Sequence, residues 1–169
     1  MKTKKVSDTY TLKTELVLPN DTNTLGNLMG GKLLHWMDIA SAISAQRASN
    51  RTVVTVSVDF VEFKSAIPLG AAVLLEAKVT RTFTSSMEVR IDVAYENLQT
   101  GTRTESNTAY YSFVAVDQSG RPIPVTTVIP ETEMEKAEYE EAYQRRELRL
   151  LLAGRIKPNE AKYVKKMFE

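Results

Sequence analysis

The feature that most constrains this chain is one long apolar helix near its start. Leu33, Leu34, Trp36, Met37, Ile39, Ala40, Ile43 and Ala45 leave almost no polar face on a helix running to about Ala48. A helix that is apolar all round has to be buried. Its second half, Ala40-Ser41-Ala42-Ile43-Ser44-Ala45, consists mainly of small residues, which let a sheet lie close to the helix backbone. A long central helix wrapped by a sheet is the simplest architecture that satisfies both conditions.

The flanking segments supply the sheet. Residues 10–18 alternate, with Leu12, Leu16 and Leu18 on one side and Lys13, Glu15 and Val17 on the other, a half-buried strand closed by Pro19-Asn20-Asp21. Residues 22–31 are rich in Asn, Thr and Gly and form a loop ending at Gly30-Gly31. After the helix, residues 52–63 carry Val54, Val56, Val58 and Phe60 at period two, and residues 72–83 carry Val73, Leu75, Ala77 and Val79. Met87, Val89, Ile91, Val93 and Tyr95 then alternate with charged residues, and a turn at Gln99-Thr100-Gly101 leads into residues 102–116. Turn signals at Pro68-Leu69-Gly70 and Thr84-Ser85-Ser86 separate these strands by hairpin-length connections, so the sheet is expected to be largely antiparallel. The fold class is α+β.

Three segments are expected: a domain over residues 8–118, an extended proline-bearing linker over 119–130, and a charged helical extension over 131–169. Glu131, Glu133 and Glu135 sit at the start of that extension and Arg145, Arg146 and Arg149 near the end of its helix, as the helix dipole favours. Glu141 and Arg145 form an i,i+4 pair, and Gly154 is placed to end the helix. Residues 158–169 suggest a short basic helix.

Composition narrows the function classes. A net charge of +1 gives no global attraction to nucleic acid or to a membrane. Cysteine is absent, which removes disulfides, thiolate metal sites and cysteine nucleophiles together. No apolar run approaches the length of a membrane span, and the basic first residues lack the apolar stretch of a signal peptide. The expectation is a cytoplasmic protein without a resident metal or cofactor. With one histidine, His35, neither a catalytic triad nor a histidine metal site has its partners, and His35 reads as an ordinary helix residue.

Two features carry chemistry. The segment from Asp21 to Gly31 places polar side chains directly before a buried helix and two glycines where that helix begins. Helix N-termini expose unpaired N–H groups, and glycine lets a ligand carbonyl approach them, the makings of an oxyanion hole. A turn that merely caps the helix accounts for the same residues equally well. The second feature is Asp38, set between Met37 and Ile39. A carboxylate in such surroundings is costly unless paired or working, and desolvation raises its pKa toward that of a useful general base.

The run Asn23-Thr24-Leu25-Gly26-Asn27-Leu28-Met29-Gly30-Gly31, then Trp36-Met37-Asp38, Val53-Val54-Thr55-Val56 and Phe63-Lys64-Ser65-Ala66-Ile67-Pro68-Leu69-Gly70 resembles the hot-dog acyl-CoA thioesterases. Within that family it is most similar to the cytosolic acyl-CoA hydrolases and their bacterial single-domain relatives, over residues 11–117. The resemblance implies a hot-dog fold and hydrolysis of an acyl-CoA to free acid and CoA. It also implies a homodimer, often assembled as a hexamer, with two composite sites per dimer.

Carried over by position, Asn27 is the loop residue of the site and Asp38 the helix acid facing across the dimer interface. Asn27 does not titrate, so Asp38 is the candidate base or nucleophile, Asn27 positions water or thioester, and Asn23 orients either group. Gly30 and Gly31 would polarise the thioester carbonyl. The similarity assigns CoA binding to the turn Arg81-Thr82-Phe83-Thr84-Ser85-Ser86-Met87, with Arg81 or Arg51 neutralising phosphate. Two rivals stand beside this reading: a regulatory module that binds acyl-CoA without turnover, and a hydratase or dehydratase on the same fold, which would need His35 in a different motif.

Overall fold

The computed structural model describes residues 3–166. In chain order they form β1 (Lys4–Lys5), β2 (Thr11–Leu16), α1 (Gly30–Ser49), β3 (Thr52–Asp59), β4 (Ala72–Thr82), β5 (Ser86–Asn97), β6 (Thr102–Val116), β7 (Val128–Ile129), α2 (Glu133–Leu152) and α3 (Lys162–Lys166). Single 3-10 turns stand at Ser7–Thr9 and Pro19–Asp21. Five strands make one antiparallel sheet in the order β2-β4-β5-β6-β3, and α1 packs against all five. This is the helix-in-sheet arrangement that the hot-dog resemblance implies.

Period-two alternation becomes an inner face directly. Val73, Leu75, Ala77 and Val79 of β4 and Met87, Val89, Ile91 and Val93 of β5 are all buried. Each large side chain removed from water in this way contributes roughly 1.5–3 kcal/mol. On α1, Leu33, Met37, Ala40, Ser41, Ser44, Ala45 and Ala48 are buried, and the small residues among them bring the helix backbone close to the sheet. Asn50, at φ +50°, ends the helix in the left-handed conformation.

Three expectations are revised. The β2 leucines do not face the core: Leu12, Leu16 and Leu18 are exposed, while Thr11 and Val17 are buried, because the strand turns its other side to α1. The helix is not covered all round, since Ile43 is exposed and Asp38 and Ile39 are only half-buried. Strand β3 ends at Asp59, because Phe60 takes φ +59° and breaks the ladder. Strand β3 is also a sheet edge, and Val54, Val56 and Val58 are exposed along it.

Among the described residues, those up to Ile129 form one compact unit and those from Pro130 onward another. In the first, the proline-bearing segment before Pro130 is extended and stitched down: β7 pairs in parallel with β1, and Val125 and Val128 are buried. In the second, Thr132 and Glu135 form a reciprocal capping box at the start of α2, and Arg145 reaches Glu141 at 3.3 Å. Gly154 follows the helix at φ +67°. Glu147 of α2 accepts the N–H groups of Tyr163 and Val164 at 2.7 and 2.8 Å, anchoring α3. Among the described residues, no helix is long and apolar enough to cross a membrane.

Candidate active site

The loop before α1 is built by its own polar groups. Asn23 Oδ1 accepts the N–H groups of Leu25 and Asn27 at 2.9 and 3.2 Å. Asn23 N–H in turn donates to the Asn27 carbonyl at 2.8 Å, and Gly26 makes the turn at φ +76°. Leu28 N–H donates to the Ile67 carbonyl at 2.8 Å, tying the loop to the segment after β3. Asp21 secures the other side: its carboxylate accepts Leu18 N–H at 3.0 Å and pairs with Lys32 at 3.1 Å. The Leu18 bond foremost, with help from Lys32, holds the Asp21 carboxyl below its ordinary range against the opposing effect of burial.

This loop, the start of α1 and residues 63–67 enclose a cleft of about 410 Å³. Asn23, Asn27, Gly30, Leu33, Phe63 and Ile67 are among its walls. Asn23, Asn27 and Gly30, singled out in the sequence, are therefore brought together. The Asn23 side-chain oxygen is occupied in shaping the loop, whereas no described residue hydrogen-bonds the Asn27 carboxamide.

Helix α1 starts without a side-chain cap, its N-cap being Met29. The N–H groups of Gly30 and Gly31 find no acceptor among the described residues; Gly30 lines the cleft at the positive end of a 20-residue helix, whereas Gly31, the next residue, is not part of the lining. A Cβ on Gly30 would lie 3.5 Å from the Phe63 ring, and one on Gly31 would meet nothing within 4 Å. Phe63, which drew no role from the sequence, is the apolar wall facing these donors.

Asp38 lies apart from this cleft. It stands two turns along α1 from Gly30, about 12 Å of helix rise. It is not among the residues lining the cleft. There Thr55 Oγ1 of β3 donates to Asp38 Oδ1 at 2.7 Å. Tyr111 of β6 lies beneath, its hydroxyl donating to the Leu34 carbonyl at 3.3 Å. Burial chiefly, and the charge of Asp38 secondarily, hold the Tyr111 phenol well above its usual pKa, so it remains a protonated donor. Thr55 was missed as a site residue; a hydroxyl inside the apolar run Val53-Val54-Thr55-Val56 was the available signal. His35 is exposed on the helix.

The turn assigned to CoA occupies the opposite end of the unit. The carbonyls of Thr84 and Ser85 accept from Val125 and Ala115 at 3.0 and 2.9 Å, and Ser86 is in register with Val114. Arg51 follows the C-terminus of α1, next to Thr52, which pairs with Val116. Arg81, Thr84, Ser85, Ser86 and Arg51 thus gather near the C-terminal end of a helix about 30 Å long, away from Gly30 and Gly31. One chain carries three separate parts: a donor cleft, a hydroxyl-held carboxylate and a polar turn. Among the described residues, no group of three or more His, Asp or Glu is gathered to hold a metal.

Known proteins carry the same architecture. The thioesterase superfamily model matches residues 25–102, from the donor loop to the start of β6. An uncharacterized acyl-CoA thioester hydrolase of Bacillus subtilis (strain 168) is 43% identical over 143 residues, covering 85% of this chain and 83% of that protein. The crystal structure of an apo-hexameric acyl-CoA thioesterase superposes with a TM-score of 0.87 at 45% identity, covering 90% of this chain and 98% of that one. An acyl-CoA hydrolase from Staphylococcus aureus, solved in complex with butyryl-CoA, CoA and CoA disulfide, superposes with a TM-score of 0.83 at 32% identity, covering 99% and 100%. The chain belongs to the hot-dog thioesterase superfamily, among the acyl-CoA thioester hydrolases.

Proposed function

We propose that this chain hydrolyses acyl-CoA thioesters to a free carboxylic acid and CoA at sites shared between two copies. The observation that carries the reading is the unaccepted N–H of Gly30 at the wall of a cleft beside Asn27, with that of Gly31 next to it in the helix start. Donors at a helix start suit the oxyanion that develops when a nucleophile adds to a thioester carbonyl. Asn27, which carries no charge, positions the water or the thioester. Among the described residues no carboxylate or histidine lines the cleft of one chain, and Asp38 stands two turns away on the same helix.

A partner chain resolves this separation. The edge of β3 is open and lined by exposed valines, and edge strands of this kind are normally covered. Two chains joined along β3 run their α1 helices side by side in opposite directions, so that Asp38 of one chain faces Asn27 of the other. The same antiparallel arrangement brings the polar turn of one chain, with Arg51 and Arg81, toward the donor cleft of its partner. Three such dimers give the hexamer, a state that one structural relative has in its crystal.

In the reaction, Asp38 takes a proton from water as the hydroxide adds to the carbonyl carbon, or its own oxygen adds directly. The C–S bond then breaks. In the general-base route the protonated Asp38 returns its proton to the thiolate and CoA leaves as the thiol. In direct attack the thiolate takes a proton from water, and a second water hydrolyses the acyl–Asp38 anhydride to the free acid. Thr55 fixes one Asp38 oxygen and leaves the other for the reaction. A single turnover in ¹⁸O-water reports on the routes: a general base puts solvent oxygen in the acid and none in Asp38, whereas direct attack with hydrolysis at the Asp38 carbonyl puts an Asp38 oxygen in the acid and solvent oxygen in Asp38. The activity itself is tested by thiol release from acyl-CoAs of increasing chain length. Turnover of at least one of them is expected, and tight binding of all without release would show a binding module instead.

A further inference from the structure

One stripe of α2 takes no part in the proposed reaction. Met134, Ala137, Glu141, Gln144, Leu148 and Leu151 recur at alternating spacings of three and four residues, the a and d positions of a heptad repeat. Such residues share one side of a helix, and here both ends of that side are open. Met134 is 70% exposed, as is 79% of Leu152, the neighbour of Leu151. Ala137 and Glu141 are exposed too, and Gln144, Leu148 and Leu151 are half-buried. Within its own unit, α2 holds α3 on a different side. Tyr143 meets Tyr163 edge-on at 5.1 Å, and Glu147 accepts the N–H groups of Tyr163 and Val164.

Two features of the helix define what covers the stripe. The first is charge. Residues 131–141 carry six glutamates and one lysine, whereas residues 145–155 carry four arginines and one glutamate. A second copy laid antiparallel sets the acidic half of each helix against the basic half of the other and opposes the two helix dipoles. A parallel copy sets like charge on like. The second feature is a match of the stripe to itself. Reversing one helix exchanges the spacings of three and four, so each a position faces a d position. Met134 then meets the partner's Leu151, Ala137 meets the partner's Leu148, and Glu141 meets the partner's Gln144. The two-fold axis repeats each pair.

Apolar residues thus face apolar ones toward both ends, with small Ala137 opposite a leucine. At the centre, a glutamine amide donates to a carboxylate that also keeps Arg145 of its own chain at 3.3 Å. This polar layer fixes the register. A slip of one heptad would set Glu141 against the partner's Leu151 or the partner's Ala137, leaving a carboxylate against apolar groups. Building on the hexamer of the proposed function, we propose that α2 pairs antiparallel with α2 of a second copy, and that this pair joins one β3-linked dimer to the next. Two distinct two-fold contacts per chain suffice to close a ring of three dimers.

The absence of cysteine allows a direct test. Full-length Met134→Cys and Leu151→Cys chains are prepared separately, mixed under verified subunit exchange and oxidised. A disulfide-linked pair of chains is expected from the mixture alone. Each position lies roughly 25 Å from its own copy across an antiparallel pair, far beyond disulfide reach. Sedimentation supplies the second readout. Leu148→Glu combined with Leu151→Glu, checked by circular dichroism for intact helix, is expected to reduce the mass of the assembly to about a third, from hexamer to dimer. Crosslinking of either cysteine variant with itself would show a parallel pair. Thiols that react with maleimide but never crosslink would show another occupant, such as a lipid surface or a different protein. Either result overturns the proposal. A wild-type chain no larger than a dimer fails the hexamer reading and this proposal together, whereas a hexamer that survives the double substitution fails this proposal alone.

Discussion

Thr55 Oγ1 donates to Asp38 Oδ1 across 2.7 Å, joining an edge strand to the central helix through the one carboxylate of α1. The bond orients the acid and keeps one of its oxygens engaged. A hydrogen bond to a charged group contributes about 1.5–3 kcal/mol, equivalent to roughly ten- to a hundredfold in rate where it acts in the transition state. Thr55→Val is therefore expected to lower kcat by that range with a smaller effect on KM, and Thr55→Ser to restore most of it. Asp38→Ala should lower kcat by about a hundredfold or more while the chain stays folded. Steady-state kinetics with circular dichroism checks all three, and near wild-type turnover by Asp38→Ala would remove that residue from the mechanism.

Asn27 separates a positioning role from a capping role. Its backbone is held by Asn23 and its carboxamide faces the cleft without a partner. Asn27→Ala is expected to reduce kcat about a hundredfold, the scale for losing a preorganised amide donor. Asn27→Asp should keep part of the activity. A silent Asn27→Ala would reduce the loop to a helix cap.

Gly31 tests the helix donors. A Cβ there meets nothing within 4 Å, so Gly31→Val is expected to leave the melting temperature within a few degrees. The added side chain stands where the thioester carbonyl would approach, and kcat/KM should fall steeply. Full activity in this variant would reject the oxyanion-hole assignment.

Asp21 gives the donor loop its acid sensitivity. Its folded pKa is depressed, so its stabilising contribution is present above the unfolded carboxylate range and is lost as pH falls through the folded value. Melting curves are expected to show the wild type losing stability as pH drops below about 4. Asp21→Asn should start less stable at neutral pH and lose less on acidification.

The legible parts of the fold were those where one periodicity met one environment. The inner residues of β4 and β5 were readable at period two because one face meets α1, and the small residues of α1 announced a close sheet. At β2 the same reasoning misled, since its leucines and the valines of β3 are apolar residues exposed in one chain. Hydrophobic pattern marks a surface to be covered and does not say whether the cover is the same chain. The site divides likewise. Asn23, Asn27 and Gly30 are close in sequence and meet in one cleft. Asp38, Thr55 and the turn from Arg81 to Ser86 depend on helix length and strand register, which no local motif encodes.

The central claim is that each site draws on two chains. Asp38→Ala and Asn27→Ala chains are prepared separately, each with little activity, then mixed in equal amounts under conditions where subunit exchange is verified by a label. In a two-fold dimer every mixed pair carries one intact site and one doubly defective site, so about one quarter of all sites should be restored. Recovery of thiol release toward about a quarter of the wild-type rate is the result expected from shared sites. Complete exchange with no recovery would mean that Asn27 and Asp38 act within one chain, and it would contradict the account.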